Sequence, residues 1–571
     1  MQMTENRRRK TEACPEQSRG GRNSVLCSLL SVLCCLAGCA PHNYKAEADE
    51  QVYKIIDRKW QESFGPKANY HISDTIPSPN DIQIEKAVPV SGILTLPQAV
   101  AIATVHNRDY QTQKELLYSM ALNLRLTRHQ FETRFFGGLG SGYAKDWNDE
   151  VVSTEASLGF NRLLATGTAI SASVASTWSR VLLGNMQGGW ASVLTASVAQ
   201  PLLRGSDRRV VLENLTQAER DTLYQVRLFN RYRKTFVVSV ITQYYQVLKL
   251  LDAVKNAEQN YIALDRLYER SEKLASAGRL PKYELGQIRQ AMLQAQDAQI
   301  QAEKEYKVMF DRFKMTLSLP PTAEFQLDHS ELESLRSAGM LEPDFSETEG
   351  VEAGLCHRLD LVNSADAIID AQRKVYVAVD SLRADLNLVG TASAIVSQQT
   401  DPASYVTLKP LRDEYSLAIE FGLPLDRVAE QGAYRTALIT LSQRHREYER
   451  MADTVALEVR QAYSDLTEAA KRYKVLSEGL KLADKRLREA FLLLQYGRVS
   501  SRRLLNAQQD LFDAQNEATE ALVAYAIATL SFYCNSEVLQ VRPDGMWEKT
   551  SVAKTAARSS EPIRDERLAE K

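Results

Sequence analysis

The sequence has few of the residues from which catalytic and metal sites are usually built. It contains seven histidines and seven cysteines among 571 residues. No two histidines are four residues apart, and only Cys356 and His357 are adjacent, so no metal-ligand spacing is formed. The glycine-rich stretch 137–142 lacks the Lys-Ser/Thr pair of a P-loop and the spacing of a dinucleotide fingerprint. The sequence therefore predicts no enzyme, no metal and no cofactor.

The chain also lacks an excess of charge and an internal linker. Its 70 Lys and Arg nearly cancel its 72 Asp and Glu, for a net charge of -2. No basic field is present to attract nucleic acid, so no nucleic-acid partner is expected. No Pro-, Gly- or Ser-rich stretch divides the chain into compact halves, which favours one extended architecture over several domains.

The first 38 residues have the features of a signal peptide. A basic stretch precedes the apolar run Val25 to Leu36, which is too short to cross a bilayer as a helix. The following Leu36-Ala37-Gly38-Cys39 resembles the lipobox of bacterial lipoproteins, which implies acylation of Cys39 and a signal peptide at 1–38. Ala40 follows, and not an Asp, which implies delivery to the outer membrane. An ordinary signal peptide that ends near a cysteine is the alternative.

Removal of the leader leaves two cysteines without a proposed lipid, Cys356 and Cys534. This count excludes a disulfide framework and leaves a single intramolecular bridge open. Residues 39–92 contain scattered prolines and no sustained period, which predicts an extended, lipid-anchored tether. Residues 542–571 are charged and are predicted to be a disordered tail.

Helical patterns begin after residue 92. A first helix is predicted from Leu94 to about Phe131, with Thr95 as its N-cap. From about 208 to 277 there is no Pro or Gly, and apolar residues recur at spacings of three and four. Such a helix would be about 105 Å long. Gly278 interrupts it, and a return helix is predicted from Pro281 to about Leu317.

Between about 135 and 203 the pattern changes to alternation of apolar residues with Ser, Thr, Ala and Gly. This alternation is typical of strands that have lipid on one side and a watery lumen on the other. A soluble β-sandwich is the alternative for this segment alone.

The same order of patterns then recurs. A helix at about 351–382, strands at 384–390 and 415–423, a long helix at 429–496 and a helix at 500–534 are predicted. At a constant offset of 219, Gly278 aligns with Gly497, Arg279 with Arg498 and Leu285 with Leu504. The sequence therefore predicts two repeats, at 93–325 and 350–541.

This organisation resembles the TolC-like outer-membrane efflux channel family over about residues 94–541. The motifs that carry the resemblance are 94–99 (LTLPQA), 200–205 (QPLLRG) and the paired turns 278–281 (GRLP) and 497–500 (GRVS). The resemblance implies a mainly helical fold with membrane strands: a periplasmic α-helical coiled-coil barrel beneath a transmembrane β-barrel of twelve strands from three protomers. Residues 135–203 could hold four strands where that pattern needs two, which leaves room for an extra hairpin at the barrel rim or beneath it; the sequence leaves the strand number open.

The resemblance implies an outer-membrane channel of a tripartite efflux or type I secretion system that conducts substrate passively. Its partners would be two further copies of the chain, a periplasmic adaptor, an inner-membrane pump and outer-membrane lipid. The residues expected to contact the adaptor lie in the two turns. They are Gly278, Arg279, Leu280, Pro281, Gly497, Arg498, Val499 and Ser500.

The two turns are not identical. An acidic residue, frequent in the family six positions after the glycine, is present as Glu284 in the first repeat and replaced by Arg503 in the second. The alternative function is a periplasmic coiled-coil lipoprotein that acts as a structural spacer of the envelope. That alternative leaves the alternating strand-like segments without a purpose. The sequence does not indicate the transported substrate.

Overall fold

A computed structural model describes most of the chain from residue 41 onward. The described residues are 41–61, 67, 69–72, 92–145, 147, 150–183, 189–338, 346–398, 412–496, 498–542 and 547–549. The chain divides into two units, Met1–Lys54 and Ile55–Lys571. The predicted signal peptide and Cys39 lie outside the described residues.

Helix α1 (Pro41–Lys59) corrects the prediction of an extended tether over 39–92. Residues 42–59 contain no Gly or Pro, and Glu50 pairs with Lys54 one turn later at 2.5 Å, which favours helix. The prolines that suggested an extended chain begin only at residue 66. After the helix, the Tyr70 hydroxyl donates to Asp57 Oδ1 at 2.6 Å.

The larger unit then follows the predicted order of helices and strands. Its first part contains β1 (Ile93–Leu94), α2 (Leu96–His106), α3 (Arg108–His129), β2 (Arg134–Lys145), β3 (Glu150–Leu163), β4 (Ala169–Leu183), β5 (Gly189–Pro201), α4 (Arg208–Val211), α5 (Glu213–Ser276) and α6 (Lys282–Thr316). Its second part contains β6 (Gln326–Leu327), α7 (Ser330–Ala338), α8 (Glu347–His357), α9 (Leu359–Asp380), β7 (Asp385–Gln398), β8 (Arg412–Gly422), α10 (Val428–Gln495), α11 (Ser501–Asn535), β9 (Leu539–Val541) and β10 (Trp547–Lys549).

The two long helices α5 and α10 have 64 and 68 residues and lie within a few residues of the predicted bounds. At 1.5 Å per residue they are about 96 and 102 Å long. On α5 the buried stripe includes Val237, Val240 and Tyr244, whose hydroxyl donates to the Leu94 carbonyl at 3.1 Å. Helix α6 returns along α5, and α11 returns along α10.

Each long helix is preceded, in its own half, by a pair of helices where the sequence predicted one continuous helix. Asn107 separates α2 from α3, and Arg358 separates α8 from α9, each with one extended residue (ψ 130° and 119°). The break at Asn107 is stabilised because its side chain accepts from the Tyr110 amide and donates to the Thr316 carbonyl, both at 2.9 Å. Both pairs consist of an 11-residue helix and a 22-residue helix.

Six strands form one antiparallel sheet in the order β2-β3-β4-β5-β7-β8. The two halves of the chain join between β5 and β7, where Leu194 is opposite Ala394. Residues 134–201 thus supply four strands and residues 385–422 supply two. The strand number that the sequence left open is therefore four, and all four strands are members of this sheet, with none in a separate hairpin. A soluble sandwich is also wrong, since these six strands form one sheet and not two.

The C-terminal segment contains a short hairpin. Strand β10 pairs antiparallel with β9, with Trp547 opposite Val541. Arg233 of α5 donates to the Val541 carbonyl at 2.7 Å. The prediction of a disordered tail from residue 542 is therefore wrong at 547–549, and residues 550–571 lie outside the described part. Within the described chain, no helix is both long and apolar enough to cross a membrane.

Candidate functional site

One face of the six-stranded sheet is apolar and uncovered. The register places Leu158 of β3 opposite Val174, Val174 opposite Leu194, and Leu417 opposite Gly390, which shares a face of β7 with the residue opposite Leu194. The side chains of Leu158, Val174, Leu194 and Leu417 therefore share a face. Leu158, Leu417 and Ile419 are 72%, 77% and 70% exposed. A large uncovered apolar surface of this kind is unfavourable in water and favourable in lipid.

Aromatic side chains lie toward the two ends of this apolar face. Phe135, Phe160 and Phe421 lie toward the end from which the strands connect to the helices. Tyr143 and Trp178 lie toward the other end. Aromatic residues at both borders of an apolar band are the pattern found where strands cross the two interfaces of a bilayer.

The opposite face of the sheet carries small and polar side chains. Strand β2 contributes Gly138, Gly140 and Gly142, and β4 and β5 contribute serines and threonines. Hydroxyl pairs link neighbouring strands across this face: Ser171 Oγ lies 2.7 Å from Ser197 Oγ, and Thr391 Oγ1 lies 2.6 Å from Ser416 Oγ. Such a surface tolerates water and leaves room beside it. Together the two faces have the chemistry of a wall between lipid and an aqueous lumen.

A network of charged and polar groups holds the helices next to the sheet. Asp370 of α9 accepts from the Tyr224 hydroxyl at 2.7 Å and pairs with Arg220 and Arg373. Burial, together with the hydrogen bond to Asp370, raises the pKa of Tyr224, which therefore stays protonated. Nearer the strands, Asp380 accepts from the Gly205 amide at 2.8 Å. These contacts join α9 to α5 and to the segment between β5 and α4, and so link the two halves beneath the sheet.

The predicted turn residues lie at the far ends of the long helices from the sheet. Gly278 has φ of +72°, a conformation that favours glycine. The Arg279 amide donates to the Leu274 carbonyl at 2.8 Å, which closes the helix end. Arg279 and Pro281 are exposed, and Leu280 is half-buried.

The second turn repeats these backbone hydrogen bonds at the offset of 219. The Arg498 amide donates to the Leu493 carbonyl at 2.9 Å, and the Arg503 amide donates to the Ser500 carbonyl at 3.0 Å. In the first turn, the Glu284 amide donates in the same way to the Pro281 carbonyl at 3.1 Å. Arg498 and Ser500 are exposed and Val499 is half-buried. Gly497 lies outside the described residues.

The structure brings the two turns together. Ser501 Oγ donates to Glu284 Oε2 at 2.8 Å, so the acidic residue of the first turn binds the second. Above this contact, Ala490, Leu504 and Ala507 form a buried cluster against Leu267 of α5. The difference between Glu284 and Arg503, noted in the sequence, is therefore accompanied by a direct contact between the two hairpin ends.

A polar cavity of about 390 Å³ opens between α5, α10 and α11. Arg336 of α7 donates to Asp252 Oδ2 at 2.8 Å and to Thr519 at 2.9 Å, and Thr519 donates to Asp252 at 2.7 Å. Sequence reasoning did not find this group. The available signal was Ser477, a polar residue in the otherwise apolar seam of α10, which lines the cavity.

Solved structures, but no family model, are similar to this chain. No family model and no curated protein matches the sequence. Among solved structures, CmeC, an outer-membrane channel of Campylobacter jejuni, has a TM-score of 0.56 at 15% identity, over 87% of this chain and 97% of its own. The open state of the MtrE outer-membrane channel of Neisseria gonorrhoeae has a TM-score of 0.56 at 13% identity, over 77% and 88%. The chain has the fold of the TolC-like outer-membrane channels.

A third similar structure is CusC, described in connection with folding and transmembrane channel formation. It has a TM-score of 0.57 at 16% identity, over 77% of this chain and 91% of its own. These likenesses confirm the mainly helical, TolC-like fold that the sequence motifs implied. Within the TolC-like fold, the two-faced sheet is the candidate membrane segment and the two turns are the candidate docking end.

Proposed function

We propose that the chain is the outer-membrane channel subunit of a tripartite efflux or type I secretion system. The observation that carries this proposal is the six-stranded sheet, apolar and uncovered on one face and polar on the other. Helices of 64 and 68 residues extend from it and would form the wall of a periplasmic tunnel. The subunit performs no chemistry: substrate delivered by a pump enters the tunnel and leaves through the barrel.

A trimer is the proposed assembly. Strands β2 and β8 each have one neighbour in the described sheet, which leaves two open edges. Unpaired backbone amides and carbonyls are too costly in lipid, so a sheet in a bilayer must close. A ring of identical copies supplies the missing partners. Three copies agree with the family resemblance, which implies a barrel closed by three protomers. Each protomer would contain both repeats of this chain, 93–325 and 350–541.

Outer-membrane attachment is proposed through lipid on Cys39 after removal of residues 1–38. The mature chain would then be held by both its acyl chains and its strands. Cys39→Ser should abolish incorporation of radiolabelled palmitate while the protein still reaches the membrane fraction. Cys356→Ser is the matched control and should label normally. Continued labelling of the Cys39→Ser protein would contradict the lipid assignment.

The exposed turns are proposed to contact a periplasmic adaptor that links the channel to its pump. The position of the turns supports this proposal, because they lie at the helix ends remote from the sheet and contact each other through Glu284 and Ser501. A photo-crosslinking amino acid at Arg279 or Arg498 should capture an adaptor in cells, and one at the exposed Arg446 of α10 should not. Capture only from Arg446 would contradict the assignment.

Conductance in a planar bilayer tests the channel function. The purified, detergent-solubilised protein should give discrete current steps without any nucleotide or other energy source. A structural spacer lipoprotein would bind the bilayer through its acyl chains and give no steps. Repeated absence of conductance from intact oligomer would reject the channel proposal.

A further inference from the structure

We infer that each protomer contributes six strands to the membrane wall, so that the assembled outlet is an 18-stranded barrel. This inference rests on the proposed trimeric channel and goes beyond it, because the family resemblance implied twelve strands. The added pair of strands would widen the outlet. Two observations support six strands: the hydrogen-bonded pairing of β2 and β3 within the sheet, and the match of their two faces to those of the other strands. Strand direction then shows how copies of the sheet can close.

The additional strands are full members of the sheet. Strand β2 pairs with β3 from Arg134 opposite Asn161 to Lys145 opposite Glu150. Strand β3 pairs with β4 over a similar length, with one irregularity at Glu150. A hairpin folded away from the sheet would end these ladders early. The six strands have 11 to 15 residues, which is long enough to cross a bilayer at a tilt.

The two faces keep their chemistry across the additional strands. Leu139 and Leu158 lie on the same apolar face as Leu194 and Leu417. Leu139 is 71% exposed. A hairpin at a watery rim would not need this apolar surface, and a hairpin packed beneath the barrel would have it covered by protein. Lipid is therefore the surrounding that fits β2 and β3.

Strand direction allows the sheet to close on a second copy. All neighbouring strands are antiparallel, and six is an even number, so β2 and β8 run in opposite directions. When β8 of one protomer lies beside β2 of the next, the junction is again antiparallel. The two edge strands have 12 and 11 residues and so match in length. The occupant of each open edge is thus another copy of this chain.

The width follows from the strand count. With strands about 4.8 Å apart and tilted by about 40°, eighteen strands give a barrel about 36 Å across between backbones. Twelve strands at the same tilt give about 24 Å. Glycine and serine on the inner face, including Gly138, Gly140 and Ser157, would leave most of the added width open.

Electron cryo-microscopy of the full-length oligomer in detergent tests the inference directly. An end-on view should show a barrel about 1.5 times as wide as a twelve-stranded one. A trimer with a barrel about 24 Å across would overturn the six-strand inference and leave the channel proposal intact. An absence of any closed oligomer would instead reject the trimer on which the inference rests.

Cysteine labelling provides a second measurement that does not depend on image quality. In a Cys356→Ser background, Ser157→Cys and Leu158→Cys place thiols on opposite faces of β3. A membrane-impermeant maleimide should label Ser157→Cys at least tenfold faster than Leu158→Cys in liposomes. Both variants should label equally after denaturation. Equal, rapid labelling in liposomes would show β3 in water on both sides and would overturn the inference.

Discussion

At the scale of single residues, Lys114 of α3 is a buried cation whose pKa is lowered by its surroundings. Its side chain is buried, with Nζ 5.2 Å from the centre of the Tyr110 ring. Burial lowers its pKa from 10.5 to about 8. The protein thus loses stability when it must carry this charge in the folded state.

The sign of the resulting pH dependence follows from proton binding. Between pH 8 and 10.5 the unfolded chain keeps the Lys114 proton while the folded chain releases it, so stability rises with pH. We expect the free energy of unfolding to be higher at pH 9.5 than at pH 7.5 by up to about 2 kcal/mol. This increase should be read as a higher apparent Tm. Lys114→Met should remove this rise, and exposed Lys474→Met should keep it. A rise that persists in Lys114→Met would assign the effect to another group.

Arg358 joins three elements by ion pairs. It lies between α8 and α9, is buried, and pairs with Asp360 at 2.6 Å and with Glu458 of α10. Burial alone would lower the pKa of Arg358, but the hydrogen bonds to the two carboxylates outweigh it and raise the pKa. Arg358→Met leaves those carboxylates without their cation.

We expect Arg358→Met to cost about 2–4 kcal/mol, read as a lower apparent Tm in detergent. Lys481→Met removes an exposed pair with Glu478 and is the matched control, with no measurable change expected. Similar melting of the wild type and Arg358→Met would show that the buried pair contributes nothing to stability.

Charges on the polar face of the sheet predict ion selectivity of the proposed lumen. By register, the charged residues of β2, β3, β7 and β8 on this face are four acidic and two basic residues: Glu155, Asp385, Glu414, Glu420, Arg134 and Arg412. The acidic excess should attract cations into the pore. Reversal potentials in a KCl gradient should show cation preference, lowered by Glu155→Gln with Glu414→Gln. Asp413→Asn, on the apolar face, should leave the potential unchanged, and anion preference of the wild type would contradict the assignment.

At the scale of elements, we expect the turn at Gly278 to require a residue with positive φ. A side chain with a branched Cβ at φ of +72° should cost about 1–2 kcal/mol locally, although space around it is open. Gly278→Val should speed hydrogen exchange of the Arg279 amide. Gly286→Ala, also in open space but within α6, should not. Unchanged exchange in Gly278→Val would indicate that the turn adopts another backbone conformation.

Long elements could be predicted from the sequence, and their interruptions could not. The spacing along 208–277 and 429–496 gave both long helices because one uninterrupted apolar stripe needs no tertiary information. The break at Asn107 depends on a hydrogen bond to Thr316, which is distant in sequence and invisible to a periodicity argument. The sequence pattern did not predict α1, because the prolines from residue 66 onward obscure the helical pattern before them.

The strands of the sheet could likewise be predicted from the sequence, whereas their order in the sheet could not. Alternation between 135 and 203 revealed strands, and the register confirms that Leu158 and Val174 share a face. Alternation cannot tell whether a hairpin stays in the sheet, since that depends on which strand edges meet. The pairing of β5 with β7, nearly 200 residues later in the chain, resolves the order.

At the scale of the whole molecule, the fold and the two turns could be read from the sequence, whereas the contact between the turns could not. The repeat at an offset of 219 located both turns, and their matching backbone hydrogen bonds support it. The bond from Ser501 to Glu284, and the Arg336–Asp252–Thr519 group, join residues more than 80 positions apart. The Ser501–Glu284 contact has no sequence signature beyond the acidic residue Glu284, and the Arg336 group has only Ser477, a polar residue in the apolar seam of α10.

The central claim is that copies of this chain close into a trimeric membrane channel. Native mass spectrometry of the detergent-solubilised mature protein measures this assembly most directly. We expect one dominant species with the mass of three acylated chains, stable to dilution because the sheet edges are paired within it. A monomer, or a dimer held by helices alone, would leave the edges of the sheet open and would contradict the proposed channel.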